Sequence, residues 1–120
     1  MIDKNLTSAS KILVCEDMDA QRLMLTQLLE NEGFLVTACN NGEKTIEVFE
    51  TDTFDLVLLD VNLPGMDGLE VFHELQSRKR TVSVIMMTAF SSVEQSVKAF
   101  KMGAINYLAK PFFKFMTQLL

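Results

Sequence analysis

The chain is poor in the residues that build soft-metal or disulfide frameworks: two cysteines and one histidine in 120 residues. Cys15 and Cys39 stand in apolar runs rather than in a C-x-x-C spacing, so buried thiols are expected, with a disulfide as the remote alternative. His73 falls inside a helical segment after Gly68, far from any strand end, and reads as a surface side chain. Long hydrophobic runs are also missing. No apolar stretch approaches the roughly 20 residues a membrane span needs, and the first ten residues have no apolar signal-peptide core, so a cytoplasmic protein is expected. Basic runs are limited to Arg78-Lys79-Arg80, a solvated helix end. With a net charge of -5 and a pI near 4.8, the surface repels nucleic acid and anionic membrane, and neither is expected as a direct partner.

What is present fits one folded domain. Hydrophobic residues make up 48% of the chain and charged residues 22%, ordinary values for a protein with a real core. Residues 1–10 lack periodicity and read as a flexible leader, which leaves 11–120 as the domain. Short apolar runs then recur: Ile12 to Cys15, Phe34 to Val36, Leu56 to Leu59, Val84 to Met87, and a weaker Tyr107 to Ala109. The first, third and fourth are apolar at every position, as in strands of a parallel sheet covered on both faces.

Helical patterns fill the gaps. Residues 19–31 carry Leu25, Leu28 and Leu29 on one stripe, with Gly33 placed as a left-handed cap. Residues 42–51 offer Ile46 and Phe49, and residues 69–79 offer Leu69, Phe72 and Leu75. A fourth helix is announced by capping boxes at Ser91/Glu94 or Ser92/Gln95 and ends at Gly103. A fifth begins after Pro111. Five β-α units specify a doubly wound α/β sandwich, in which ligands bind outside the carboxyl ends of the strands near the point where strand order reverses.

The residues expected at that edge are Glu16-Asp17 after the first strand, Asp60 ending the third, Thr88 after the fourth and Lys110 after the fifth. Three carboxylates sharing one crevice repel one another, each pair by about 3 kcal/mol at roughly 5 Å and an effective dielectric near 20. One lysine leaves the crevice near -2, which a divalent cation neutralises, and all-oxygen ligands select Mg²⁺. A Mg²⁺ site at Glu16, Asp17 and Asp60 is therefore expected. Carboxylates holding a metal beside a lysine and a hydroxyl suit phosphoryl transfer, and a carboxylate can itself accept the group.

The run Ile12 to Asp17, the run Phe54 to Gly68, the Met87-Thr88-Ala89 step and the stretch from Gly103-Ala104 through Tyr107 to Phe112 together resemble response-regulator receiver domains, over residues 11 to about 115. That resemblance implies a flavodoxin-like three-layer sandwich with strand order 2-1-3-4-5 and five helices. It also implies roles. Asp60 would take the phosphoryl group from a histidine kinase or phosphotransfer protein, Asp17 and Asp60 would ligate Mg²⁺ with the Asn62 backbone carbonyl, and Glu16 would act largely through water. Thr88 and Lys110 would bind phosphoryl oxygens. Thr88 and Tyr107 would carry the switch to the face formed by the fourth helix, fifth strand and fifth helix, through which a homodimer could form on phosphorylation. The Lys110-Pro111 peptide bond would be cis. The domain would act as a phospho-acceptor, catalysing only its own phosphorylation and dephosphorylation, and would control an output domain or partner, with transcription regulation among the roles the resemblance implies. The short last helix points to a chain cut before that output domain, or else to a face covered by a partner.

Other classes remain at this point. A phosphatase with an aspartyl nucleophile would place it in an Asp-x-Asp pair after the first strand, whereas Asp60 ends the third. A flavodoxin-like cofactor carrier needs hydrogen-bond donors in its first loop, where Glu16-Asp17-Met18-Asp19 would repel an anion. An interaction module working without phosphorylation would share the shape.

Overall fold

The computed structural model describes residues 10–78, 82–88 and 106–109. The elements run β1 (Lys11–Cys15), α1 (Asp19–Asn31), β2 (Leu35–Cys39), α2 (Gly42–Thr51), β3 (Leu56–Asp60), α3 (Gly68–Gln76), β4 (Ser83–Thr88) and β5 (Asn106–Ala109). All neighbouring strands pair in parallel, in the order β2-β1-β3-β4-β5. This is the expected doubly wound order. The fourth and fifth helices, the leader 1–9, Phe112 to Leu120 and the Lys110-Pro111 bond lie outside the described residues. Ser10, the last residue of the expected leader, is buried, and its carbonyl accepts the Leu35 backbone N–H.

Alternation along the central strands divides the core in two. Ile12 and Val14 of β1, Leu56 and Leu58 of β3, and Ile85 and Met87 of β4 pack on one face with Leu25 and Leu29 of α1. Leu13, Val57, Leu59 and Met86 pack on the other face with Phe49 of α2 and Val71, Phe72 and Leu75 of α3. Each such side chain contributes about 1.5–3 kcal/mol when fully buried. These two layers cover β1 and β3 on both faces.

Helix ends follow local chemistry. Asn41 and Asp67 cap α2 and α3, accepting the backbone N–H of Lys44 and Glu70. The α1 end is a Schellman turn: Gly33 adopts φ 93°, its N–H reaches the Glu30 carbonyl, and the Phe34 N–H reaches that of Leu29. Two boundaries differ from expectation. Strand β2 runs Leu35–Cys39 rather than 34–36, because this edge strand has only part of its surface covered and its polar Thr37 and exposed Ala38 carry no apolar signal. Helix α3 stops at Gln76 rather than 79, where Arg78 turns back to the Glu74 carbonyl and carboxylate. Among the described residues, no helix is long and apolar enough to cross a membrane.

Candidate functional site: an acidic crevice at the strand ends

Strand order reverses between β1 and β3, the place where a doubly wound sheet opens a crevice. The register pairs Cys15 with Leu59, which sets Glu16 level with Asp60 on the adjacent strand. Three carboxylates consequently meet. One oxygen from each of Glu16, Asp17 and Asp60 lies within 4.8 Å of the others. Glu16 and Asp60 are 0% and 2% exposed, while Asp17 is half-buried.

Backbone donors hold two of the three in place. The Asn62 N–H donates to Asp60 Oδ1 at 2.9 Å, and the Met18 N–H donates to Glu16 Oε2 at 3.3 Å. The loop after Asp60 is tied to β4 by the Val61 N–H, which donates to the Met87 carbonyl at 2.8 Å. Helix α3 approaches the same backbone closely. A Cβ added at Gly68 would sit 2.1 Å from the Asp60 carbonyl oxygen and 2.6 Å from the Val61 Cα, so only glycine fits there. An open cleft of about 450 Å³ is lined in part by Asp17, Asn62, Leu63 and Pro64, so of the three carboxylates it is Asp17 that borders it.

The donor set is hard and all-oxygen, it is crowded, and through Asp17 it borders an open cleft. Those are the properties of a site for a small divalent cation such as Mg²⁺, which keeps several waters. The buried pair would otherwise hold two carboxylates close together in a poorly solvated place.

The backbone places Thr88 at the carboxyl end of β4, paired with Ala109 of β5 and one residue past the Asp60–Met87 pair. Tyr107 lies in β5 opposite Met86. Lys110, the next residue after β5, is outside the described residues. His73 is exposed on α3, as expected. Cys15 and Cys39 are buried free thiols facing each other across β1 and β2. Burial pushes the Cys15 thiol up to about 12 and raises that of Cys39.

Two residues that shape the site were given no role from the sequence. Gly68 acts by lacking a side chain beside the Asp60 carbonyl. Arg22, on the second turn of α1, donates to the carbonyls of Glu16 and Asp17. For Arg22, an isolated cation a few residues past an acidic pair was the available cue.

With this geometry in hand, comparison with known proteins is specific. The response regulator receiver domain family matches residues 12–117. Regulatory protein AtoC of Escherichia coli is 36% identical over 107 residues, which is 89% of this chain and 23% of that protein. Sporulation initiation phosphotransferase F of Bacillus subtilis is 32% identical over 102 residues, 85% of this chain and 82% of that one. Among solved structures, response regulator protein TrrA from Thermotoga maritima, in complex with Mg²⁺ and BeF, is 31% identical with a TM-score of 0.78, covering 92% of this chain and 99% of that one. The chain thus spans less than a quarter of the length of AtoC, and most of the length of the phosphotransferase.

Proposed function

The chain belongs to the response regulator receiver domain family of two-component systems, and from that premise we propose that Asp60 is its phospho-acceptor. The observation that carries this is the convergence of Glu16, Asp17 and Asp60 within 4.8 Å at the end of β3, beside an open cleft. In the proposed reaction an Asp60 carboxylate oxygen attacks the phosphorus of a phosphohistidine on a sensor histidine kinase or phosphotransfer protein. The P–O bond to Asp60 forms, the P–N bond to imidazole breaks, and the leaving nitrogen keeps its electron pair. The product is an acyl phosphate on Asp60.

Glu16, Asp17, Asp60 and the Asn62 backbone carbonyl would hold Mg²⁺, Glu16 largely through water. When bound, Mg²⁺ supplies positive charge that offsets the carboxylates and the transferring oxygens. The Asn62 N–H steadies Asp60 by donating to Oδ1. Thr88 and Lys110 are proposed to bind phosphoryl oxygens from the ends of β4 and β5. Tyr107, with Thr88, would pass the change to the surface of β5 and its two flanking helices, where homodimer formation or an output domain would read it. The Lys110-Pro111 bond is proposed to be cis.

Residues 11–120 would act as the receiver unit, working in the cytoplasm, and its catalysis would be confined to its own phosphorylation and dephosphorylation. The likeness to transcriptional regulatory protein ZraR of Escherichia coli supports transcription regulation as the output. The test is incubation with acetyl phosphate and Mg²⁺, followed by intact mass. A gain of one phosphoryl group that disappears in Asp60→Asn is expected; no gain, or a gain in the variant, removes Asp60 from this role.

A further inference from the structure

The loop between β1 and α1 supplies two of the three carboxylates, yet its helix start is unusual. Asn41 and Asp67 cap α2 and α3 through their side chains, whereas the N-cap of α1 is Met18, at φ -79° and ψ 118°, with no side-chain cap. Something else must fix how the chain leaves β1 and enters α1. Arg22 does this from inside the helix. Its Nη1 donates to the Glu16 carbonyl at 3.0 Å and the Asp17 carbonyl at 3.3 Å, and its Nη2 pairs with the Asp19 carboxylate. The Arg22 side chain is 22% exposed, so these bonds are largely shielded from water, although Asp19 itself is 91% exposed.

One planar guanidinium bound to two successive carbonyls obliges both to point the same way, which fixes the peptide planes on either side of Asp17. Those planes set where the Glu16 and Asp17 side chains leave the backbone. We propose that Arg22 is a positioning residue for divalent-cation binding: it holds the acidic loop so that Glu16 and Asp17 meet Asp60. This rests on the reading of the three carboxylates as a Mg²⁺ site.

Charge and positioning predict opposite signs. A guanidinium near an acidic cluster opposes a cation, so its removal by charge alone tightens Mg²⁺ binding. Loss of positioning weakens it.

The test measures apparent Mg²⁺ affinity from the rise in melting temperature with Mg²⁺ concentration, for the parent, Arg22→Met and Arg22→Lys. Arg22→Met is expected to weaken binding about fivefold to tenfold, from the loss of charge-assisted hydrogen bonds. Arg22→Lys keeps the charge and most of the stem, but its single nitrogen cannot hold the two carbonyls from the place of Nη1 and also reach the Asp19 carboxylate that Nη2 binds, so it too should bind more weakly than the parent. In both variants, saturating Mg²⁺ should restore the parent rate of phosphoryl uptake from acetyl phosphate, because only the occupancy of the site has changed.

Parent-like or tighter Mg²⁺ binding in Arg22→Met overturns the proposal. If that variant does not fold, as judged by circular dichroism without metal, parent-like binding in Arg22→Lys overturns it instead. A parent that binds no Mg²⁺ overturns the metal-site reading and this proposal together, while a parent that binds and a variant that binds equally well overturn only the role of Arg22.

Discussion

Replacing Asp60 by asparagine should make the metal-free protein more stable, although it removes the proposed acceptor. Asp60 takes part in two of the three carboxylate pairs, each with oxygens within 4.8 Å. At that separation a pair of unit charges repels by about 3.5 kcal/mol at an effective dielectric of 20 and by about 0.9 kcal/mol in water. The pair with Glu16 belongs near the first limit, because both residues are at most 2% exposed. The pair with half-buried Asp17 belongs nearer the second.

Against this repulsion of about 4 kcal/mol stand the interactions that favour the Asp60 carboxylate, among them the bond from the Asn62 N–H to Oδ1. Accepted by a carboxylate it is worth about 1.5–3 kcal/mol, and by a neutral amide about 1 kcal/mol, so the substitution gives back roughly 1–2 kcal/mol. A net gain of about 2 kcal/mol remains, equal to a rise of roughly 6–10 °C for a domain of this size. Melting followed by circular dichroism in EDTA measures it. Added Mg²⁺ should then close or invert the gap, since a ligand at 100 times its Kd stabilises the parent by about 2.7 kcal/mol and the variant has lost a ligand. A variant that melts at or below the parent in EDTA would refute the idea that these carboxylates repel one another in a shared crevice.

Two further outcomes follow from the packing around the site. Gly68→Ala should destabilise the protein by about 3 kcal/mol, seen as a lower urea midpoint, because its Cβ would meet backbone atoms at 2.1 and 2.6 Å that cannot turn aside like a flexible side chain. A midpoint within error of the parent would mean that α3 can move off β3 at little cost. Cys15 should resist iodoacetamide in the native state. With burial raising the thiol from its ordinary 9.0 to about 12, its thiolate fraction at pH 8 falls about a thousandfold, and the rate should climb with each pH unit up to the folded value. Rapid labelling of Cys15 at pH 8, read by peptide mass, would contradict its burial; both thiols should label in urea.

The parts of the fold that could be read in the sequence are those where side chains alone carry the information. Leu56 to Leu59 are apolar at every position because α1 covers one face of β3 and α2 with α3 the other, and a run of that kind has few alternatives. Edge strand β2 lost its outer half to the same logic, since Thr37 and Ala38 face surroundings that make no demand for apolar residues. The site divides in a similar way. Glu16, Asp17 and Asp60 were legible because a carboxylate at a strand end is conspicuous and the doubly wound topology says where strand ends converge. Arg22 and Gly68 were not, because what each touches is a backbone carbonyl: those of Glu16 and Asp17 for the first, that of Asp60 for the second. Every residue has a carbonyl, so the sequence cannot show which ones need a partner or a vacancy beside them. The residues that perform the proposed chemistry are therefore found by type and spacing, whereas the residues that aim them emerge only when the path of the backbone is known. Substitutions chosen by charge at strand ends will sample the first group and pass over the second.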